Sequence, residues 1–209
     1  MRTKICGITT RDDLELAVEA GADAIGLLVD VPVETPREID CVTARSLVDA
    51  TPPFVSTVLV TMADTVGNAR TLIKRVGADA IQIHGLESTA VRELHEKAEA
   101  DVLAAVAPSR AIEYDGCCDG LLVDSLDDAG AGGTGTTHDW DQTRACVAET
   151  TTPVIVAGGL TPENVADAIE QTQPYGVDVA SGVEQTGGRK SSNAVTAFIR
   201  AARSVGVRA

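Results

Sequence analysis

Short apolar runs alternate with amphipathic stretches along most of this chain. Eight runs have the length and residue types of buried strands, near residues 3–7, 23–29, 54–60, 79–83, 102–107, 119–124, 153–157 and 176–180. Apolar residues at helical spacing lie between most of them, for example over 42–50, 65–76, 88–98, 140–149, 162–171 and 193–205. Strands that alternate with helices predict a parallel sheet with right-handed crossovers. Eight units of about 26 residues indicate an α/β fold, a small (β/α)8 TIM barrel.

The segment 108–116 is the weak point of this pattern, because it holds little more than one helical turn. A barrel tolerates a shortened fifth helix, but the gap also suits an open doubly wound sheet with fewer strands. No Gly-x-Gly-x-x-Gly sequence follows the first strand, so the open sheet lacks its best signature and the barrel is favoured. With 209 residues and 44% hydrophobic content, we expect one core and a single domain over residues 1–209.

A five-residue sequence occurs twice at the start of predicted strands. Gly21–Ile25 recurs as Gly77–Ile81, an offset that two strand-helix units of about 28 residues fill. A glycine just past a helix end, followed by a β-run, is typical of a helix-to-strand turn.

Composition narrows the environment and the partners. No run is long enough to span a membrane and no signal peptide is recognisable, so we expect a soluble cytoplasmic protein with its five cysteines reduced. A net charge of −14 argues against nucleic acid or an anionic membrane as partner. Four lysines and 2% aromatic residues complete a composition that is similar to proteins of salt-loving organisms. The acidic surface suggests a molar-salt optimum, although an acidic protein of an ordinary cytoplasm is the alternative.

In a barrel, the active site forms where the strands end. At that end, strand one delivers Cys6, strand four delivers His84 and strand six delivers Asp124. A free cysteine is often just a small buried hydrophobe. Glycine-rich turns follow strands seven and eight, at 157–160 and 180–184, and such turns bind phosphate through their backbone N–H groups. The plain alternative is an ordinary loop, and a third cluster, Gly130–Gly135, is a weak signal for a lid or a further phosphate contact.

Seven segments carry a family resemblance, and they are Lys4–Thr9, Thr35–Arg37, Gln82–Gly85, Leu122–Asp124, Gly132–Gly135 followed by Asp139-Trp140, Ala157–Leu160 with Pro162–Val165, and Gly176–Glu184. In this order the chain resembles the phosphoribosylanthranilate isomerase family of tryptophan biosynthesis, across nearly its full length. The resemblance implies the third step of tryptophan synthesis from chorismate. In that step, N-(5-phosphoribosyl)anthranilate undergoes an Amadori rearrangement to 1-(2-carboxyphenylamino)-1-deoxyribulose 5-phosphate, without metal or organic cofactor.

The resemblance also implies a general acid and a general base. Asp124 would protonate the ring oxygen of the sugar, and Cys6 would take a proton from the second sugar carbon. An acid at Asp124 needs a raised pKa, whereas a thiolate at Cys6 needs a lowered one. We therefore expect an electropositive, partly open site around Cys6. Lys4 lies on the same side of the strand, and the sequence leaves open whether it reaches the thiol or forms a salt bridge elsewhere.

Substrate contacts complete the implied site. By similarity, Arg37 would hold the anthranilate carboxylate, and the alternative is a solvated arginine. His84 would lie near the substrate or hydrogen-bond a loop, and Asp178 would contact the substrate or support the loops. Phosphate contacts are predicted at Gly133, Gly135, Gly158, Gly159, Ser181 and Gly182. The expected partner is the small phosphosugar-anthranilate substrate, and the expected state is a monomer or a homodimer.

Three segments depart from the family pattern. Thr136–His138 replace a cation and an aromatic residue, and Thr61 replaces an asparagine. Residues 187–192 replace an acidic start of the last helix, and Ser191 or Ser192 could cap that helix. Three alternatives stay open: a related phosphosugar epimerase or bifunctional isomerase, a non-catalytic phosphate-binding barrel, and a structural barrel subunit. Because the bifunctional enzymes generally pair two aspartates, Cys6 argues against that alternative.

Overall fold

A computed structural model describes residues 1–124 and 140–205 of the chain. Eight parallel strands close into a barrel in sequence order, and they are β1 (Arg2–Cys6), β2 (Ala24–Leu28), β3 (Ser56–Thr61), β4 (Ala80–His84), β5 (Asp101–Val106), β6 (Gly120–Val123), β7 (Val154–Val156) and β8 (Gly176–Val179). β1 pairs with β8, with Lys4 opposite Asp178. This pairing leaves no open edge between the first and last strands, so the barrel prediction is confirmed and the open-sheet alternative is wrong.

Helices surround the barrel, and those of the described residues are α1 (Arg11–Ala20), α2 (Cys41–Ala50), α3 (Val66–Val76), α4 (Ser88–Lys97), α5 (Ala111–Tyr114), α6 (Trp140–Glu149), α7 (Val165–Thr172) and α8 (Ser192–Ser204). α5 is a single turn that continues a 3-10 turn at Pro108–Arg110, as the short segment after β5 predicts. Among these described helices, none is long and apolar enough to cross a bilayer.

A small antiparallel hairpin after β8 was not predicted. β9 (Glu184–Thr186) pairs with β10 (Arg189–Lys190), and β10 lies in the segment that departs from the family pattern. The hairpin is fastened to the start of the chain, since the hydroxyl of Thr9 donates to the carbonyl of Gly188 at 2.8 Å. Ser191 caps α8 by accepting a hydrogen bond from the Ala194 N–H, which is one of the two caps that the sequence suggested.

The five-residue repeat has one structural role in both copies. Gly21 and Gly77 end α1 and α3 in the left-handed conformation, with φ of 95° and 74°. In each copy, the aspartate two residues after the glycine accepts hydrogen bonds from a threonine on the strand that precedes the helix. Asp23 accepts from the N–H and hydroxyl of Thr3, and Asp79 does the same for Thr57. Each repeat therefore ends a helix and ties two neighbouring strands together at the N-terminal end of the barrel.

The core fills the space between the strands and the surrounding helices. Its largest side chains with almost no exposure include Ile5, Ile25, Leu59, Ile81 and Phe198. Several polar side chains are buried on the strands or directly after them, among them Gln82, Asp124 and Asp178, and they locate the candidate site.

Candidate active site

One cavity of about 380 Å³ opens at the C-terminal end of the barrel. Every predicted site residue that the structure describes lines it, and these are Cys6, Arg37, His84, Asp124, Gly158, Gly159, Asp178, Ser181 and Gly182. The predicted contacts Gly133 and Gly135, the rest of the Gly130–Gly135 cluster and the departure at Thr136–His138 lie outside the described residues. The barrel thus brings together residues from six strands and their loops.

Cys6 and Asp124 face this cavity from opposite parts of the wall. Cys6 ends β1, and Asp124 directly follows β6, three strands away around the barrel. Both are buried, with 6% and 9% of their surface exposed. A ligand in the cavity can therefore meet the thiol and the carboxyl group from different sides.

The electrostatics around Cys6 differ from the expectation. Burial raises the pKa of the thiol above its ordinary value, the ammonium group of Lys4 lowers it, the carboxylate of Asp178 raises it and Lys190 lowers it, with raising effects dominant. The predicted partly open thiol with a lowered pKa is therefore wrong for the described residues, because burial disfavours the thiolate more than the nearby cations favour it.

A buried polar chain crosses the barrel below the cavity. Nζ of Lys4 donates to Oδ1 of Asp178 and to Oε1 of Gln82, both at 3.0 Å. Asp178 and Lys4 bury all but 8% and 5% of their side chains. Burial works against the charge of Lys4, but Asp178 and Cys6 outweigh it and hold the pKa of Lys4 above its usual value. The salt bridge that the sequence left open for Lys4 thus lies inside the barrel, next to the thiol.

The same chain continues from Gln82 to His84 at the cavity. Nε2 of Gln82 lies 2.9 Å from Nε2 of His84, and because an amide nitrogen donates, the ring nitrogen accepts. Burial, assisted by the charge of Lys4, lowers the pKa of His84 to about 4. His84 is therefore a neutral hydrogen-bonding group near pH 7, and it lines the cavity while bonding a strand side chain instead of a loop.

Arg37 is held in place by Glu184, which was not among the predicted site residues. Nε and Nη2 of Arg37 donate to the two carboxylate oxygens of Glu184, each at 2.8 Å. Glu184 also accepts from Nζ of Lys190 at 2.9 Å. Burial opposes the charge of Glu184, but Arg37 and Lys190 hold its pKa below the usual range. The guanidinium is therefore held at the wall by Glu184, and two of its five N–H donors make these bonds.

The two glycine turns lie side by side at the cavity. Gly158 and Gly159 have φ of 85° and 63°, a conformation that glycine adopts without strain. A side chain at Gly182 would overlap the carbonyl oxygen of Leu160, so the turn after β8 packs directly on the turn after β7. These turns follow the two strands after which barrels commonly hold phosphate.

Side chains behind the turns hold their backbone in place. Nδ2 of Asn164 donates to the carbonyl of Gly159 at 2.9 Å, and its Oδ1 accepts from the N–H of Thr161 at 2.7 Å. Nζ of Lys190, fully buried, donates to the carbonyl of Ala180 at 3.0 Å. The glycines alone thus do not define the phosphate candidate, which depends on two polar side chains from the following elements.

Four supporting residues were missed as site residues: Gln82, Asn164, Glu184 and Lys190. Gln82, Asn164 and Glu184 lie within the family-like segments, so their polar residue types at those positions were a usable signal. Lys190 stands in the hairpin, and no local pattern indicates that its side chain returns to the end of β8.

A larger cavity of about 890 Å³ lies at the other end of the barrel. Its lining includes Asp23 and Asp79, but both carboxylates are engaged by Thr3 and Thr57 in holding strands together. The smaller cavity combines a thiol, a carboxyl group, a guanidinium and glycine turns, so it is the candidate for chemistry. Within the described ranges, no group of three or more His, Cys, Asp or Glu side chains is arranged to hold a metal ion.

Comparison with known proteins places the chain in a family. The family model of N-(5'phosphoribosyl)anthranilate (PRA) isomerase matches residues 3–201. The isomerase of that name from Natronomonas pharaonis, a halophilic archaeon, is 57% identical over 203 residues, covering 96% of this chain and 97% of the relative.

Solved structures agree with this match. The phosphoribosyl anthranilate isomerase of Thermotoga maritima superposes with a TM-score of 0.86 at 33% identity, covering 98% of this chain and 99% of that one. A further structure, with a TM-score of 0.83, 32% identity and the same coverage, is a phosphoribosyl anthranilate isomerase in complex with reduced 1-(o-carboxyphenylamino)-1-deoxyribulose 5-phosphate. The chain therefore belongs to the N-(5'-phosphoribosyl)anthranilate isomerase family.

Proposed function

We propose that this chain converts N-(5'-phosphoribosyl)anthranilate into 1-(2-carboxyphenylamino)-1-deoxyribulose 5-phosphate, as an enzyme of tryptophan biosynthesis. The observation that carries the proposal is the convergence of Cys6, Asp124 and the two glycine turns on one cavity, in a chain of this family. The barrel runs from β1 to β8 as one closed sheet, and we take residues 1–209 as a single catalytic domain.

Two proton transfers account for the isomerisation. Asp124 donates a proton to the ring oxygen, so that the carbon–oxygen bond breaks and the ring opens to a Schiff base. The thiolate of Cys6 then takes the proton from the second sugar carbon, and the resulting enolamine tautomerises to the ketone. No atom is gained or lost overall, and no external oxidant is needed. The location of the two groups three strands apart supports two separate proton-transfer groups, and their division into acid and base follows the family resemblance.

The two ends of the substrate carry negative charge, and the cavity offers a matching group for each. Arg37 keeps N–H donors beyond those bonded to Glu184, and a guanidinium binds a carboxylate with two parallel bonds. We assign it to the anthranilate carboxylate. The phosphate is assigned to the backbone N–H groups of Gly158, Gly159, Ser181 and Gly182.

His84 and Asp178 take different parts in this arrangement. His84 is neutral near pH 7 and lines the cavity, so it suits a hydrogen bond to an uncharged part of the substrate. Asp178 is paired with Lys4, which supports a role in holding the wall of the site.

The test is turnover by the wild-type chain in molar salt. The labile substrate is generated in situ from anthranilate and phosphoribosyl diphosphate by a separate transferase, and loss of anthranilate-type fluorescence is followed. The same mixture without the chain gives the spontaneous rate. Turnover to the ring-opened product supports the proposal. A folded wild type that binds the reduced product analogue without turnover indicates a binding barrel, and one that does neither contradicts the assignment.

Cofactor independence and a cytoplasmic location stay predictions. Activity that persists after exhaustive dialysis against a chelator supports the first. Fractionation of cells that express the tagged chain tests the second.

A further inference from the structure

Lys4 occupies an uncommon position for a charged residue. It lies two residues before Cys6 on β1, so both side chains point into the barrel. The residue is 4% exposed. Its ammonium group spans from β1 to Asp178 on the neighbouring β8 and to Gln82 on β4, across the barrel. Two acceptors from different strands thus hold the charge at one point.

Stability alone does not explain this arrangement. Barrel interiors are filled mostly by branched apolar side chains, and a buried ion pair is commonly no more stable than apolar residues of similar volume. Lys4 and Asp178 are both nearly enclosed, so each loses most of its hydration. A chemical use for the charge therefore explains the arrangement better than stability does.

Packing over Gly26 brings that charge to the thiol. A methyl group built on Gly26 would lie 2.7 Å from Sγ of Cys6 and 3.2 Å from Cε of Lys4. The sulfur and the terminal carbon of the lysine therefore pack against the same spot on β2. The missing side chain at Gly26 leaves the space in which the two groups meet.

We propose that Lys4 is a positioning residue that stabilises the thiolate of Cys6 through its buried ammonium group, which Asp178 and Gln82 hold in place. This rests on the proposed function, in which Cys6 is the general base. The lysine touches neither reacting carbon nor proton. Its effect is to raise the thiolate fraction at a given pH, and a base acts only in its deprotonated form.

The charged groups around Cys6 determine the sign of the test. Lys4 on β1 and Lys190 on β10 favour the thiolate, and Asp178 on β8 disfavours it. Arg37, in the loop after β2, also interacts favourably with the thiolate. The other titratable groups lining the cavity within the described residues are His84 on β4, Asp124 after β6 and Glu34 in the loop after β2. Removing Lys4 and removing Asp178 should therefore have opposite effects.

The experiment measures kcat/KM against pH for wild type, Lys4→Met and Asp178→Asn. The side of the profile that rises with pH reports deprotonation of the base in the free enzyme. In Lys4→Met it should move to higher pH, with kcat/KM at pH 7 lowered roughly 10- to 100-fold, part of the 10²–10⁴-fold that a general base contributes. In Asp178→Asn it should move to lower pH. A purely structural role predicts no such opposite pair.

Lys74→Met is the matched control, because it removes the same charge from the exposed face of α3. Its profile should equal that of the wild type. Lys190→Met removes the second buried lysine, which holds the carbonyl of Ala180. We expect it to raise KM more than it moves the profile.

Two further measurements keep the test decisive. The double variant Lys4→Met/Asp178→Asn leaves no unpaired charge from this salt bridge, so it is expected to fold where Lys4→Met alone fails. Thiolate absorbance, titrated against pH with the signal of Cys6→Ser subtracted, reads the thiol directly without turnover. Thiolate formation at higher pH in Lys4→Met than in the wild type, or in the double variant than in Asp178→Asn, supports the inference even if the assigned reaction is wrong. Equal titrations in these comparisons overturn it even if the reaction is right.

Discussion

Glu184→Gln is the substitution that most sharply tests the charge arrangement at the cavity wall. The carboxylate accepts two bonds from Arg37 and one from Lys190. The Glu184 and Lys190 side chains are 6% and 0% exposed, and that of Arg37 is 24% exposed. The amide keeps the shape but removes the negative charge, so two cations lose their shared partner.

The expected cost follows from burial. Removing one partner of a buried ion pair costs about 3–5 kcal/mol. Since Arg37 is partly exposed and regains some hydration, we take the lower end, about 3 kcal/mol. For a chain of this size, 1 kcal/mol corresponds to roughly 2–4 °C, so the melting temperature should fall by roughly 6–12 °C. KM should also rise, because Arg37 is no longer held at the wall.

The assay is thermal unfolding in molar salt, with Glu170→Gln as the control. Glu170 lies on the exposed face of α7, and the same change there should leave the melting temperature nearly unchanged. Salt screens buried pairs much less than exposed ones, so the difference should persist at high salt. A Glu184→Gln protein as stable as the control variant would show that the charge of Glu184 does not stabilise the fold.

Three further predictions concern glycines and His84. Gly26→Ala puts a methyl group 2.7 Å from Sγ of Cys6, the proposed base, so kcat should fall sharply while helix content in circular dichroism is kept; Gly67→Ala, where nothing lies within 4 Å, is the control. Gly182→Ala forces the two glycine turns apart, so inhibition by inorganic phosphate should weaken, and unchanged inhibition would contradict the phosphate assignment. The pKa of His84 is about 4 when folded against 6.5, so unfolded chains bind its proton first. The free energy of unfolding should therefore be unaffected by His84 above pH 6.5 and should fall by at most about 3 kcal/mol as the pH drops toward 4. His84→Asn should flatten this part of the stability profile measured by urea denaturation.

The barrel could be predicted because each unit repeats its local signals. Apolar runs located all eight strands, and glycines such as Gly21 marked the helix-to-strand turns. The observed element boundaries differ from the predicted ones where a single residue determines the backbone conformation. Phe54 was expected to begin β3, but it has φ of 72°, and the strand begins at Ser56. Asn164 bonds Thr161, so α7 begins at Val165 and not near 162.

The convergence of the candidate site residues on one cavity could be predicted, but the pairing of their side chains could not. The strand ends and the family motifs gave Cys6, Asp124 and Arg37, and barrel closure brings them to one cavity. Lys4 and Asp178 are 174 residues apart, so only the pairing of β1 with β8 reveals the ion pair. The predicted direction of the Cys6 pKa shift was wrong because burial has the largest effect on it. The local pattern of charged residues around a cysteine does not report burial.

The most direct measurement is the turnover of Cys6→Ser and Asp124→Asn beside the wild type, in molar salt and with folding checked by circular dichroism. Each folded variant should lose about 10²–10⁴-fold in kcat while it still binds the reduced product analogue. A folded variant of either residue that keeps the wild-type rate would contradict the claim that these two groups carry the proton transfers.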